Sequence, residues 1–148
     1  MVDLLLTRLS VDVFECAGDT RDANSIADAM CTGAVTSGAT VRQQVVEQFN
    51  PHGVTCCLVL AESHLVVSTW PEYNYASIDA ALCNPALDVE VLIEPVVSLL
   101  QPKRKQQQMT TTPVASPVVT PRPVIAVDSA DATPDLQARV LDAVETGP

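Results

Sequence analysis

The stretch "LAESHLVVSTWPEYNYASIDAALC", residues 60–83, decides how the chain folds and contains its most unusual feature. An apolar run, residues 54–61, meets Glu62-Ser63-His64, and a second apolar run follows at residues 65–69. Both runs are typical of strands, yet no Gly, Pro or Asn lies between them, although these residues form most tight turns. The polar tripeptide is therefore either a plain kink between two strands or a strained connection with a chemical role.

The elements around this stretch can be predicted from their hydrophobic periods. Residues 9–16 alternate as a half-buried strand does, and residues 40–49 and 76–82 add further strands. Ile26, Met30 and Ala34 recur every four residues, which predicts a helix over residues 25–35, with Gly38 as its left-handed C-cap.

A second helix and a last strand complete the pattern. Asn84 is expected to cap this helix, with Pro85 as its first residue and a kink at Pro95. Residues 103–112 are expected to return as an edge strand. The order β-α-β-β-β-β-α-β with short connections predicts an α/β fold, a two-layer sandwich in which two helices cover an antiparallel sheet.

Composition limits the classes of protein. The chain has 148 residues, of which 47% are hydrophobic and 18% charged, as expected for one globular domain. No apolar run approaches the roughly 18 residues of a membrane helix, and the start "MVDLLLTRLS" lacks a signal peptide's basic region. We therefore expect a cytosolic protein without a membrane partner. Residues 1–101 carry the whole net charge of −10, which disfavours nucleic acid as a partner.

The five cysteines do not form a recognisable framework. Their number is odd and no CxxC pair occurs, so neither disulfides nor a metal site is expected. Four of them are predicted to be small buried hydrophobes: Cys16, Cys31, Cys56 and Cys57.

The composition changes after residue 112. Residues 113–148 are predicted to form a Pro-rich extended linker and a short amphipathic helix with Thr133 as its N-cap. Such a helix is marginal alone. It either docks on the body or a partner, or belongs to a disordered tail.

Ser63 has a chemical interpretation if its connection is strained. Its hydroxyl can attack the carbonyl of Glu62 and form an ester by an N-to-O acyl shift. Removal of the Ser63 Cα proton then expels the Glu62 carboxylate, and the resulting dehydroalanine hydrolyses to a pyruvoyl group. That ketone forms a Schiff base with an amine substrate and accepts electrons when carbon dioxide leaves.

The segment "AESHLVVSTWPEYNYASIDAALC" resembles the signature of prokaryotic S-adenosylmethionine decarboxylase proenzymes, approximately A-E-S-H-hydrophobic-x-hydrophobic-H-T-W-P-E-Y-x-Y-A-x-x-D-x-x-x-C. The similarity extends upstream through "QFNPHGVT" and "RLSVDVFEC" and downstream to about residue 112. It implies a pyruvoyl-dependent carboxy-lyase of spermidine biosynthesis, self-cleaved between residues 62 and 63. It also implies a homodimer whose processed protomers share their active sites.

The resemblance also implies roles for individual residues. Ser63 becomes the pyruvoyl cofactor, and Cys83 donates the proton that follows decarboxylation, a sensible role for a thiol that is protonated at neutral pH. Glu72 holds the ribose hydroxyls of the cationic substrate. Phe49 stacks on the adenine. Thr55 supplies a hydroxyl that assists processing, where Ser is usual.

One position departs clearly from that pattern. Ser68 replaces a His expected to help remove the Cα proton, and a serine hydroxyl is a far weaker base at neutral pH. Two milder departures put Cys56 and Asn84 where Gly is common. Alternatives therefore stay open: a pyruvoyl-dependent ornithine or arginine decarboxylase on the same scaffold, or an uncut, non-catalytic partner subunit.

Overall fold

The computed structural model describes residues 4–115. They lie in the first of two units into which the chain divides, Met1–Ser116 and Pro117–Pro148. The last strand ends at Val114, so it includes the first two residues of the predicted linker, residues 113 and 114. The rest of the linker and the predicted terminal helix lie outside the described residues.

Within that part of the chain, the elements follow the predicted order. They are β1 (Leu4–Cys16), α1 (Ala23–Ser37), β2 (Val41–Gln48), β3 (Val54–Leu60), β4 (Ser63–Trp70), a 3₁₀ turn (Pro71–Tyr73), β5 (Tyr75–Leu82), α2 (Val89–Leu100) and β6 (Pro102–Val114). The strands form one antiparallel sheet in the order β2-β3-β4-β5-β1-β6. The predicted two-layer α/β sandwich is therefore confirmed.

The core lies between the two helices and one face of the sheet. Alternate strand residues point into it, and the stripe of Ile26, Met30 and Ala34 on α1 is fully buried, as its spacing predicts. Gly38 ends α1 with φ 82°, which confirms the predicted C-cap. The opposite face of the sheet, called here the outer face, carries exposed apolar side chains such as Val45 and Val59.

The predicted start of the second helix is wrong. The side chain of Asn84 accepts a hydrogen bond from the Ala86 N–H at 3.0 Å and forms a turn. The helix begins four residues later, where Asp88 caps α2 by accepting the N–H of Glu90 at 2.8 Å. Pro95 lies within α2 and does not end it, and the kink expected there stays a prediction.

The prediction for the cysteines is only half correct. Cys16 and Cys56 are buried, and burial raises the pKa of the Cys56 thiol to about 11. Cys57 is half-buried because it points to the outer face of β3, whereas its neighbour points into the core. Cys31 is also half-buried, and its thiol donates to Gln44 Oε1 at 3.2 Å.

Neither of the two helices in residues 4–115 is long and apolar enough to cross a membrane.

Candidate active site

A two-residue turn, Ala61-Glu62, joins β3 to β4, so the second strand starts at Ser63 and not at Leu65. Leu60 pairs with Ser63 across this hairpin. Two-residue hairpins usually place Gly or Asn at positive φ within the turn, whereas here the positive φ belongs to the residue that follows the turn. Here Ser63 adopts φ 139°, a region that serine rarely occupies and that stores strain in the backbone.

The carbonyl next to Ser63 is held by its neighbours. The N–H of Cys83, the residue after β5, donates to the carbonyl oxygen of Glu62 at 2.9 Å. The Glu62 carboxylate in turn accepts the N–H of Thr40 at 3.0 Å, and the N–H of Ala61 donates to the Thr40 carbonyl at 2.8 Å. The peptide bond between Glu62 and Ser63 is therefore both polarised and fixed in position.

The side chain of Ser63 contacts that of His64. Ser63 Oγ lies 3.1 Å from His64 Nδ1, within hydrogen-bond distance. Consecutive side chains of a regular strand point to opposite faces. The positive φ of Ser63 breaks this alternation and turns its hydroxyl towards the imidazole.

The other predicted site residues form a second group. Phe49, Thr55, Ser68 and Glu72 all line a cavity of about 320 Å³. The hydroxyls of Thr55 and Ser68, which face each other across β3 and β4, are 2.9 Å apart.

Two residues that sequence reasoning gave no role belong to this cavity. His52 Nε2 lies 3.3 Å from Glu72 Oε2, so the two side chains form an ion pair when the histidine is protonated. Trp70 lines the same cavity and packs against Tyr75, with ring centroids 5.3 Å apart. The aromatic "WPEYNY" segment was a signal for Trp70, whereas no sequence pattern singled out His52.

The two groups of site residues lie towards opposite ends of β4. Ser68 lies five positions after Ser63 on the strand, which corresponds to ~16 Å at the usual rise of about 3.3 Å per residue. Ser63 and Cys83 therefore sit apart from the cavity that holds Phe49 and Glu72. One protomer does not bring all the predicted residues together.

Several known proteins are similar to this chain. The family model of S-adenosylmethionine decarboxylase matches residues 7–111. An S-adenosylmethionine decarboxylase proenzyme of Acidithiobacillus ferrooxidans is 32% identical over 115 residues, which are 72% of this chain and 86% of that protein. A proenzyme of the same description from Caldanaerobacter subterraneus is 36% identical over 93 residues, 63% of this chain and 72% of that one.

The fold also has a solved counterpart. The crystal structure of the adenosylmethionine decarboxylase from Aquifex aeolicus superposes with a TM-score of 0.69 and 24% identity, covering 76% of this chain and 94% of that one. At this identity the likeness concerns the fold alone. The family model, however, covers the strained hairpin and both groups of site residues, and together with the sequence relatives it shows that the chain belongs to the S-adenosylmethionine decarboxylase family.

Proposed function

We propose that the protein is a pyruvoyl-dependent S-adenosylmethionine decarboxylase that activates itself by cleavage between Glu62 and Ser63. Its product would be the aminopropyl donor for spermidine synthesis. The observation that carries the proposal is the left-handed Ser63 beside a Glu62 carbonyl that accepts a backbone hydrogen bond. Family relatives described as proenzymes support it.

The local geometry favours attack of Ser63 on the preceding peptide. Cleavage of the strained backbone relieves the cost of φ 139° at a non-Gly residue, on the order of 1–3 kcal/mol. The Cys83 N–H, already 2.9 Å from the Glu62 oxygen, can stabilise the charge that develops there. The Thr40 contacts keep Glu62 in place during the reaction.

The processed end of the second chain would carry the pyruvoyl group, which supplies a ketone and an electron sink for decarboxylation. Cys83 lies next to that end because its N–H bonds the residue before the cut. Its half-buried thiol is our candidate for the acid that returns a proton to the substrate carbon after carbon dioxide leaves.

The cavity lined by Phe49, Thr55, Ser68 and Glu72, called here the second cavity, is suited to the adenosine part of the substrate. Glu72 offers two carboxylate oxygens to ribose hydroxyls, and the half-exposed ring of Phe49 offers a face to the adenine. Trp70 adds a second aromatic side chain, and aromatic faces attract a sulfonium cation.

We propose that two processed protomers share their sites as a homodimer. A separation of ~16 Å between Ser63 and Ser68 along β4 is a long span for one small substrate, so a partner would supply the second cavity. The outer face, with exposed Val45, Val59 and Trp70, is our candidate contact surface. A monomer in analytical ultracentrifugation, measured on protein that is active, would contradict this arrangement.

A cytosolic location stays a prediction.

Mass spectrometry of the purified protein tests the cleavage. We expect a chain of residues 1–62 and a larger chain whose first residue, at position 63, is blocked and bears a ketone. Borohydride with substrate should add mass to the larger chain only. Ser63→Ala protein should stay uncut. A parent protein that also remains full length for days would exclude the proposal and favour a non-catalytic subunit.

Carbon dioxide release tests the substrate. Parent protein is incubated separately with S-adenosylmethionine, ornithine and arginine, each carrying a labelled carboxyl group. We expect release from S-adenosylmethionine alone. Release from ornithine or arginine alone by a cleaved protein would support the pyruvoyl chemistry but exclude S-adenosylmethionine as the substrate.

A further inference from the structure

We infer that His64 is the general base that takes the hydroxyl proton of Ser63 in the first step of self-cleavage. The inference rests on the proposed function and names a residue for one of its steps. It is carried by the 3.1 Å contact between Ser63 Oγ and His64 Nδ1, which lies within the range for direct proton transfer.

The contact follows from the unusual backbone at the hairpin. His64 pairs with Val59 on β3 and Ala81 on β5, so its position on the outer face is set by the sheet. A serine with ordinary strand dihedrals would point away from it. The left-handed φ of Ser63 therefore both strains the bond to be cut and brings the nucleophile to the imidazole.

The step balances with the groups present. With its own proton on Nε2, the imidazole accepts the Ser63 Oγ proton at Nδ1 while Oγ bonds to the Glu62 carbonyl carbon. The negative oxygen that forms receives the Cys83 N–H. The bond between the Glu62 carbon and the Ser63 nitrogen then breaks, and His64 returns the proton to that nitrogen. The products are an ester and a free amine, and His64 is unchanged.

Within one protomer, the other candidate bases are less well placed. Ser68 is a hydroxyl ~16 Å along the strand from Ser63. The chain's only other histidine, His52, contacts Glu72 in the second cavity. His64 acts within one protomer, so the first step should follow first-order kinetics that do not depend on protein concentration.

The surroundings of His64 leave it accessible. The side chain is exposed at the edge of a cavity of about 290 Å³, whose charged lining residues are Arg8 of β1 and Asp79 of β5. Asp79 Oδ1 accepts the Ser10 hydroxyl at 2.8 Å, and Arg8 donates to Thr112 Oγ1 at 3.3 Å. Because both have partners of their own, His64 remains directed at Ser63. Before two protomers associate, a small base from solution can also enter here.

The test follows precursor cleavage in freshly synthesised parent, His64→Ala, His64→Gln and Gln108→Ala proteins. Gln108 of β6 lines the same cavity as His64 and is neither part of the chemistry nor one of the proposed contact residues, so its truncation controls for local disturbance. Loss of a general base should slow cleavage on the order of 10²-fold or more in both His64 variants, while Gln108→Ala stays close to the parent. Added imidazole should restore cleavage to His64→Ala in proportion to its concentration.

Two further readouts separate a chemical role from a structural one. Hydroxylamine cleaves esters, so it should not cut the precursor chain of His64→Ala, in which no ester has formed. An ester that accumulates would instead place the defect in the later elimination and overturn the inference. The dependence of the cleavage rate on pH should also differ between the parent and His64→Gln.

The results that would overturn the role of His64 differ from those that would overturn the proposed function. A parent that is never cut overturns both. A parent that is cut while both His64 variants are cut at the same rate overturns the role of His64 alone. Slow cleavage that imidazole does not restore, in variants whose thermal unfolding matches the parent's, would also exclude the base.

Discussion

At the scale of single residues, one backbone dihedral organises the candidate site. The φ of 139° at Ser63 brings its hydroxyl to His64 beside the polarised carbonyl of Glu62. The same residue in an extended conformation would be an ordinary hydroxyl in a hairpin. Reactivity at this site therefore depends on conformation as much as on residue type.

Cys83→Ala separates cleavage from turnover. Only the backbone N–H of Cys83 contacts the Glu62 carbonyl, and alanine keeps that group. We therefore expect cleavage to proceed, while decarboxylation falls on the order of 10²-fold or more because the general acid is lost. Cleavage is followed by gel mobility and turnover by carbon dioxide release. Full turnover in Cys83→Ala would mean that the half-buried Cys83 thiol has no catalytic role.

Ser68→His tests the departure from the family pattern. The Ser68 hydroxyl bonds Thr55 on the outer face, so a larger imidazole at this position would project towards the proposed partner protomer. We expect faster loss of the ester intermediate, because an imidazole is a better base than a hydroxyl. The choice of substrate should not change. Hydroxylamine-sensitive ester is measured over time in parent and variant, with Ser68→Ala as the control. An unchanged or slower rate in Ser68→His would contradict a role for this position in proton removal.

At the scale of elements, the close contact of the two helices is made possible by small residues. Gly33 of α1 lies against the backbone of α2, where an added Cβ would be only 1.9 Å from the carbonyl oxygen of Leu92. Gly18 approaches the end of α2 equally closely, with the Leu99 oxygen at 1.9 Å from such a Cβ. These contacts seat the helix layer over the core and thereby support the strands that carry the site.

Gly33→Ala should be destabilising although the substitution normally favours a helix by about 1 kcal/mol. The new methyl group would collide with backbone that cannot move without separating the helices, which costs on the order of 1–3 kcal/mol. Urea unfolding in an uncut Ser63→Ala background measures the change. Thr36→Ala, at an exposed position of the same helix, is the control and should be neutral or slightly stabilising. Equal stability of Gly33→Ala and its parent would mean that the helices can separate freely.

At the scale of the whole molecule, the core contains an ionisable group. Burial raises the pKa of Cys56 from an ordinary value of 9.0 to about 11. The pKa of Tyr75 is also raised, chiefly because its hydroxyl donates to Asp12 Oδ1 at 2.5 Å. Both groups bind their protons more tightly in the folded protein, so folding is favoured at lower pH and weakened as the solution becomes alkaline.

We therefore expect the free energy of unfolding to decrease as the pH rises from about 9 to about 11. The contribution of Cys56 is complete below pH 9.0 and is lost through its folded-state pKa. Urea unfolding of Ser63→Ala protein at several pH values measures this. The same series in a Cys56→Ala background should start from lower stability but decline less steeply. An equally steep decline would show that Cys56 is not the group responsible.

The sequence by itself determined the order of the elements, the two-layer class and the position of Ser63, because hydrophobic periods and residue types are local properties of the chain. It could not decide between Asn84 and Asp88 as the cap of α2. Both are good capping residues, and only the packing of the helix against the core selects the second.

Only the tertiary structure decided how the site residues meet. The positive φ of Ser63, the hydrogen bond from Cys83 to the Glu62 carbonyl and the contact with His64 all depend on strand pairing across β3, β4 and β5. The sequence placed Ser63 and His64 in the connection between two strands and gave no indication that their side chains are in contact. The separation of Phe49 and Glu72 from Ser63 likewise follows from the length of β4 and the sheet register, which no short motif contains.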